Sequence, residues 1–171
     1  RQLATYSREY LAEHLFVGVG RSTGSTVSDR EEAFEKLRSP IASVSLLFGY
    51  YAFARQGAER AGYNEVCLEL LDQFASREPQ GFWTTYHDAD SFYGAFRAGC
   101  ERRKIKENER LNPGLVRGVY ALAATTRDTG LFHRWADRIR SHHDLASVFD
   151  ELEKVHGIGP KIASFICRDT V

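Results

Sequence analysis

The stretch VFDELEKVHGIGPKIASFI, residues 148–166, decides how this chain is read. Val148, Phe149, Leu152 and Val155 recur at helical spacing and make one apolar stripe. Gly157 and Gly159 then bracket Ile158 in a tight turn, and Pro160 opens a second helix. Ile162, Ala163, Phe165 and Ile166 are its expected buried side, with Ile158 plugging the turn into the groove between the helices. Small Ala163 lets the two helices cross closely. Such a turn aims backbone N–H groups outward from a helix N-terminus, which carries free donors and partial positive charge suited to a phosphate. An ordinary connection, with a C-cap glycine followed by a proline at the first helical position, uses some of the same residues. The joint occurrence of the stripe, Gly-Ile-Gly, a lysine and an alanine at these offsets favours a DNA-backbone-binding helix-hairpin-helix over 145–170.

Outward from the hairpin, the periodicity is helical nearly throughout. Residues 4–16 read as a short helix. The glycine-rich run GVGRSTGST, 18–26, reads as a loop without the lysine placement of a phosphate-binding P-loop. Asp29 is positioned to cap a helix reaching about Arg38, and Ser39-Pro40 signals a new start. The following segment is apolar on many sides and reads as a central buried helix. Further starts fall at Asn64, at Asp90 or Ser91, and at Asn112-Pro113, with a break at Pro79-Gln80-Gly81 and shorter helices near 131–141 and 145–154. The fold class is all-α, a compact multi-helix array with the hairpin at its C-terminal end. Residues 1–171 read as a single domain, truncated at the C-terminus, with a lobe boundary near 107–112 where the composition shifts.

Composition narrows the function classes. The formal net charge is zero, against a protein coated in positive charge for non-specific DNA binding. Three cysteines, far apart and without a CxxC pair, point to reduced thiols in an intracellular protein, with no metal site expected. No run of about 20 apolar residues is present, so no membrane partner is expected.

The run Leu152-x-x-Val155-His156-Gly157-Ile158-Gly159-Pro160-Lys161-Ile162-Ala163 resembles the hairpin of the helix-hairpin-helix DNA glycosylases, base-excision repair enzymes that include endonuclease III and 8-oxoguanine glycosylase. The resemblance covers about twenty residues. It implies a monomeric enzyme acting on double-stranded DNA, with Lys161 as nucleophile and with His156, Gly157, Ile158, Gly159 and Lys161 meeting the DNA. The family's catalytic aspartate lies roughly twenty residues past the lysine, and Asp169 comes too early, so the partner carboxylate is expected beyond Val171. No cofactor is implied; a structural monovalent cation at the hairpin carbonyls is allowed. Such enzymes rotate a base out of the duplex into an aromatic pocket, for which Trp83 and Tyr86 are the candidates. Aromatic stripes more often serve as core, and that reading of the same two residues takes precedence. Two alternatives stand beside the enzyme: a non-catalytic helix-hairpin-helix module in which Lys161 meets a phosphate, and an all-α interaction protein in which the turn is only structural. Arg97, Arg102, Arg103, Lys104, Lys106, Arg110 and Arg117 form the strongest basic cluster, as a phosphate surface or as a solvated face. His142-His143 reads as an exposed helix start rather than a metal site, because adjacent residues do not share a helix face.

Overall fold

A computed structural model of the chain describes residues 32, 34–53, 62–74, 79–125, 127 and 130–170, with 79, 80 and 169 described through the backbone only. The helix expected over 4–16, the 18–26 loop and the Asp29 cap lie outside the described residues. Every regular element among the described residues is helical. Ser39 caps α1 (Pro40–Leu46) by accepting from the Ala42 amide at 3.4 Å, with Pro40 at the first helical position. The chain continues without a break into a π-helical segment, Leu47–Ala52, in which Leu47, Phe48 and Ala52 are fully buried. This is the central apolar segment: it packs against α1, α2 (Tyr63–Asp72), α5 (Asn112–Ala124) and α8 (Pro160–Thr170).

The Pro79-Gln80-Gly81 run was expected to break the chain; instead Pro79 starts a helix, α3 (Pro79–Thr85). Proline lacks only an N–H that a first turn leaves unpaired in any case. The next helix, α4 (Ala89–Arg102), is capped by Asp88, two residues before the expected cap. The Ser91 amide donates to the Asp88 carboxylate at 2.7 Å and the Asp88 amide donates to the Ser91 hydroxyl at 3.3 Å, so Ser91 closes a capping box. Asn112-Pro113 does start α5, and α6 (Leu131–His142) and α7 (Leu145–Glu153) follow close to their expected places. Asp144 caps α7 through the Ser147 amide. His142 and His143 end α6 rather than start a helix, because His143 takes the left-handed conformation that stops it.

One continuous core runs from Leu37 to Cys167. It spans both sides of 107–112, which form part of the connection and start between the closely packed α4 and α5. Gly130 is where the chain comes nearest to itself. Its φ is +70°, and a Cβ there would stand 2.2 Å from the Leu37 carbonyl oxygen, so only glycine fits.

Candidate nucleic-acid interface

The hairpin is built on α6. Arg134 and Arg138 sit one turn apart and both grip Glu151 of α7, Arg134 at 2.6 Å. Arg138 also reaches Asp144 at 3.2 Å and donates to the Ser147 hydroxyl. These groups are partly buried, so the network is screened less than a surface pair. Val148, Leu152 and Val155 turn the expected stripe inward, with Phe149 half-buried beside them.

The turn has a defined geometry. The Val155 amide closes on Leu152, and the Ile158 amide donates to the Val155 carbonyl at 2.9 Å. Gly157 has φ +97°, a backbone state that L side chains rarely adopt. Ile158 is 2 % exposed and plugs the turn, while Gly159 is exposed with open space where a Cβ would stand. The first backbone bond of α8 runs from the Ala163 amide to the Gly159 carbonyl at 3.0 Å. The amides ahead of it lie in the first turn, where an α-helix supplies no partner.

Lys161 stands exposed at the second position of α8. Its ammonium lies 5.7 Å from the centre of the Phe165 ring, and the Arg168 guanidinium lies 5.0 Å from the same ring. Phe165 was expected on the buried side; it is 38 % exposed. The buried stripe of α8 is Ile162, Ala163, Ile166, Cys167 and Thr170, and at 100° per residue Phe165 falls on the opposite face with Lys161, Ser164 and Arg168.

His156 packs against the start of α5. Its ring atoms lie 2.7–2.8 Å from the position of a Cβ on Gly114, and its Nε2 is 3.3 Å from the Arg110 carbonyl oxygen. One turn on, Gly118 receives Val155, whose Cγ1 lies 2.8 Å from the corresponding Cβ position. Two glycines four apart on α5 thus form the seat of the hairpin. This seat and the Arg134–Glu151–Arg138 network were missed from sequence. The signals were present as Gly114/Gly118 and Arg134/Arg138 at i, i+4 spacing, but their partners lie far along the chain.

Trp83 and Tyr86 are 5 % and 8 % exposed and belong to the aromatic core. Trp83 meets Phe82 and Tyr120 edge-on, and Tyr86 meets Phe74, Phe82 and Phe92. The Tyr86 hydroxyl accepts from Gln73 at 3.0 Å, and burial raises its pKa against that hydrogen bond. These contacts pack both side chains among other rings, and none of them reaches the hairpin turn.

The basic cluster divides. Arg97 pairs with Glu107 and Glu101, Arg103 with Glu65 and Glu69, and Arg117 with Asp90 while lying over the Tyr93 ring. Among the described residues, no group of three or more His, Cys, Asp or Glu is placed to hold a metal ion, and no helix is long and apolar enough to cross a membrane. The class these features define is an all-helical fold, with a glycine-containing turn joining α7 to α8. No family model, no curated protein and no solved structure matches the chain.

Proposed function

We propose that the chain binds the backbone of double-stranded DNA through the 154–161 turn and is part of a monomeric base-excision DNA glycosylase with lyase activity, Lys161 being the nucleophile. The observation that carries the reading is the turn itself. Gly157 is left-handed, Ile158 is plugged inward, and Gly159 leaves the end of α8 open with Lys161 beside it. A DNA phosphate placed there meets first-turn amides and the positive end of the helix dipole.

In the chemistry proposed, a neutral Lys161 amine forms a bond to the sugar C1′ while the glycosidic C1′–N bond breaks, and the base leaves with that electron pair and a proton. Loss of the second amine proton and opening of the sugar ring give a Schiff base. Removal of a C2′ proton then expels the 3′ phosphate, and water releases the lysine. A carboxylate acting as general base would assist these proton transfers. The Val155 and Gly159 carbonyls each accept one amide and keep a second lone pair, so they would serve as ligands to a monovalent cation whose role is structural.

A second reading, a non-catalytic DNA-binding module, is favoured by the exposure of Lys161 and by the lack of any described carboxylate in a salt bridge with it. Borohydride trapping separates the two. The protein is incubated with duplexes carrying an abasic site or a panel of damaged bases, then reduced. A covalent adduct that Lys161→Gln abolishes, with DNA affinity kept within about tenfold because the hairpin amides remain, supports the enzyme. Absence of an adduct together with loss of affinity in Lys161→Gln makes the lysine a phosphate contact. An adduct that survives the substitution assigns the chemistry to another amine. A parent protein that binds no duplex leaves the turn a structural element of an all-α interaction protein.

A further inference from the structure

We propose that the loop Lys104–Arg110 is a second contact for the DNA phosphate backbone, held in register with the hairpin by His156; this rests on the hairpin's binding duplex DNA. Of the seven cations in the basic cluster, Arg97, Arg103 and Arg117 are engaged in ion pairs, whereas Arg102 at the end of α4 and Lys104, Lys106 and Arg110 in the loop are exposed and form none among the described residues. The loop contains two carboxylates. Glu107 is 13 % exposed and is taken up by the Tyr93 hydroxyl and Arg97, so Glu109 alone opposes the three free cations. Lys106 and Arg110 line an open depression of about 550 Å³ together with Tyr63, Glu107, Asn108 and Glu109.

The loop is fixed at several points. The Tyr63 hydroxyl donates to the Lys106 carbonyl at 2.6 Å, and the Leu111 and Asn112 amides donate to the Asn108 carbonyl at 3.0 and 2.9 Å. His156 closes on the Arg110 carbonyl. A fixed loop loses little freedom when it meets a ligand, so its charges act with less entropic opposition. Lys104 adds a further sign. The Ile105 amide donates to the Cys100 carbonyl and the Lys104 amide to the Glu101 carbonyl, the pattern that ends a helix on a left-handed residue. Glycine is the relaxed choice there, yet a lysine stands at φ +57°.

The spacing suits a nucleic-acid backbone. His156 touches Arg110 and is three residues from Gly159, at most about 11 Å of chain. That is roughly the axial rise of three phosphates along one strand. A duplex seated on the hairpin amides therefore brings neighbouring phosphates within reach of the loop.

The test is anisotropy titration of a labelled duplex over a range of salt concentrations, with five variants at four exposed positions. Lys106→Gln/Arg110→Gln removes two cations. Each neutralised phosphate contributes about 0.9 to the slope of log affinity against log salt, so the double variant is expected to flatten the slope by about 1.8 and each single by about half of that. His156→Ala keeps every loop cation and removes the bond that ties the loop to the hairpin, so affinity falls while the slope holds; affinity equal to the parent's overturns the register. Gly159→Asp fills open space with a residue suited to a helix cap and repels a phosphate at the hairpin. An unchanged slope in the double and single variants, with binding weakened by Gly159→Asp, overturns the loop contact and leaves the hairpin standing. A flattened slope with Gly159→Asp binding like the parent removes the hairpin and, with it, the loop as a second contact held in register by His156. A parent that does not bind duplex DNA overturns both.

Discussion

Gly118→Ala tests the seat that holds the hairpin. Gly118 lies inside α5, where replacing glycine by alanine ordinarily gains about 1 kcal/mol of helix stability. Here the added methyl meets Val155 Cγ1 at 2.8 Å. Carbon atoms rest about 3.5–4.0 Å apart, so the overlap is roughly 0.7 Å or more. Valine is stiff at χ1 and Val155 is buried, so the methyl has no easy retreat. Overpacking of this kind costs about 1–3 kcal/mol, and the net change lies between about zero and 2 kcal/mol of destabilisation. Gly94→Ala on α4 is the matched control, because nothing lies within 4 Å of its Cβ position. It is expected to raise Tm by about 2–4 °C, while Gly118→Ala lowers Tm by up to about 8 °C. Thermal and urea melts followed by circular dichroism measure both, and the difference between the variants isolates the steric cost from helix propensity. If Gly118→Ala stabilises as much as Gly94→Ala, Val155 does not sit on α5 and the seat is wrong.

Gly130→Ala is expected to lose about 3 kcal/mol or more, because a Cβ meets backbone at 2.2 Å on a residue with φ +70°; a Tm within 2 °C of the parent, about 1 kcal/mol at most, sinks this. Asp88 has its pKa lowered, first by the hydrogen bond from the Ser91 amide. A carboxyl depressed on folding stabilises above its unfolded pKa, about 3.9, and that contribution is lost as pH falls through the lower folded value. Asp88→Asn therefore shrinks the acid loss of Tm below about pH 4, and acid titrations of Tm that superimpose for the two proteins count against the cap. Burial raises all three thiols, Cys67 well above its ordinary range with Cys100 adding to the effect, and Cys100 and Cys167 to about 11. Ellman's reagent at pH 8 is expected to find them unreactive in the native protein and to count all three in denaturant; prompt native labelling contradicts the packing of α2 on α4 or of α8 on the core.

Local chemistry in the sequence determined where most helices begin. Ser39-Pro40, Asn112-Pro113 and Asp144 act through bonds and dihedrals within four residues, so their effect needs no knowledge of the rest of the chain. The apolar spacing of Val148, Leu152 and Val155 likewise named the buried face of α7, and Gly157 and Ile158 took the conformations their positions imply. The side on which an aromatic falls was a different matter. Phe165 lost its place in the core to Cys167 and Thr170, and Trp83 and Tyr86 gained theirs from rings on α4 and α5. Charge was legible only as a cluster: which of seven cations remained free was settled by carboxylates on α2, on α4 and in the loop before α5. Capping and turn formation are short-range and are written in consecutive residues, whereas burial and ion pairing depend on which helices the assembled core brings together.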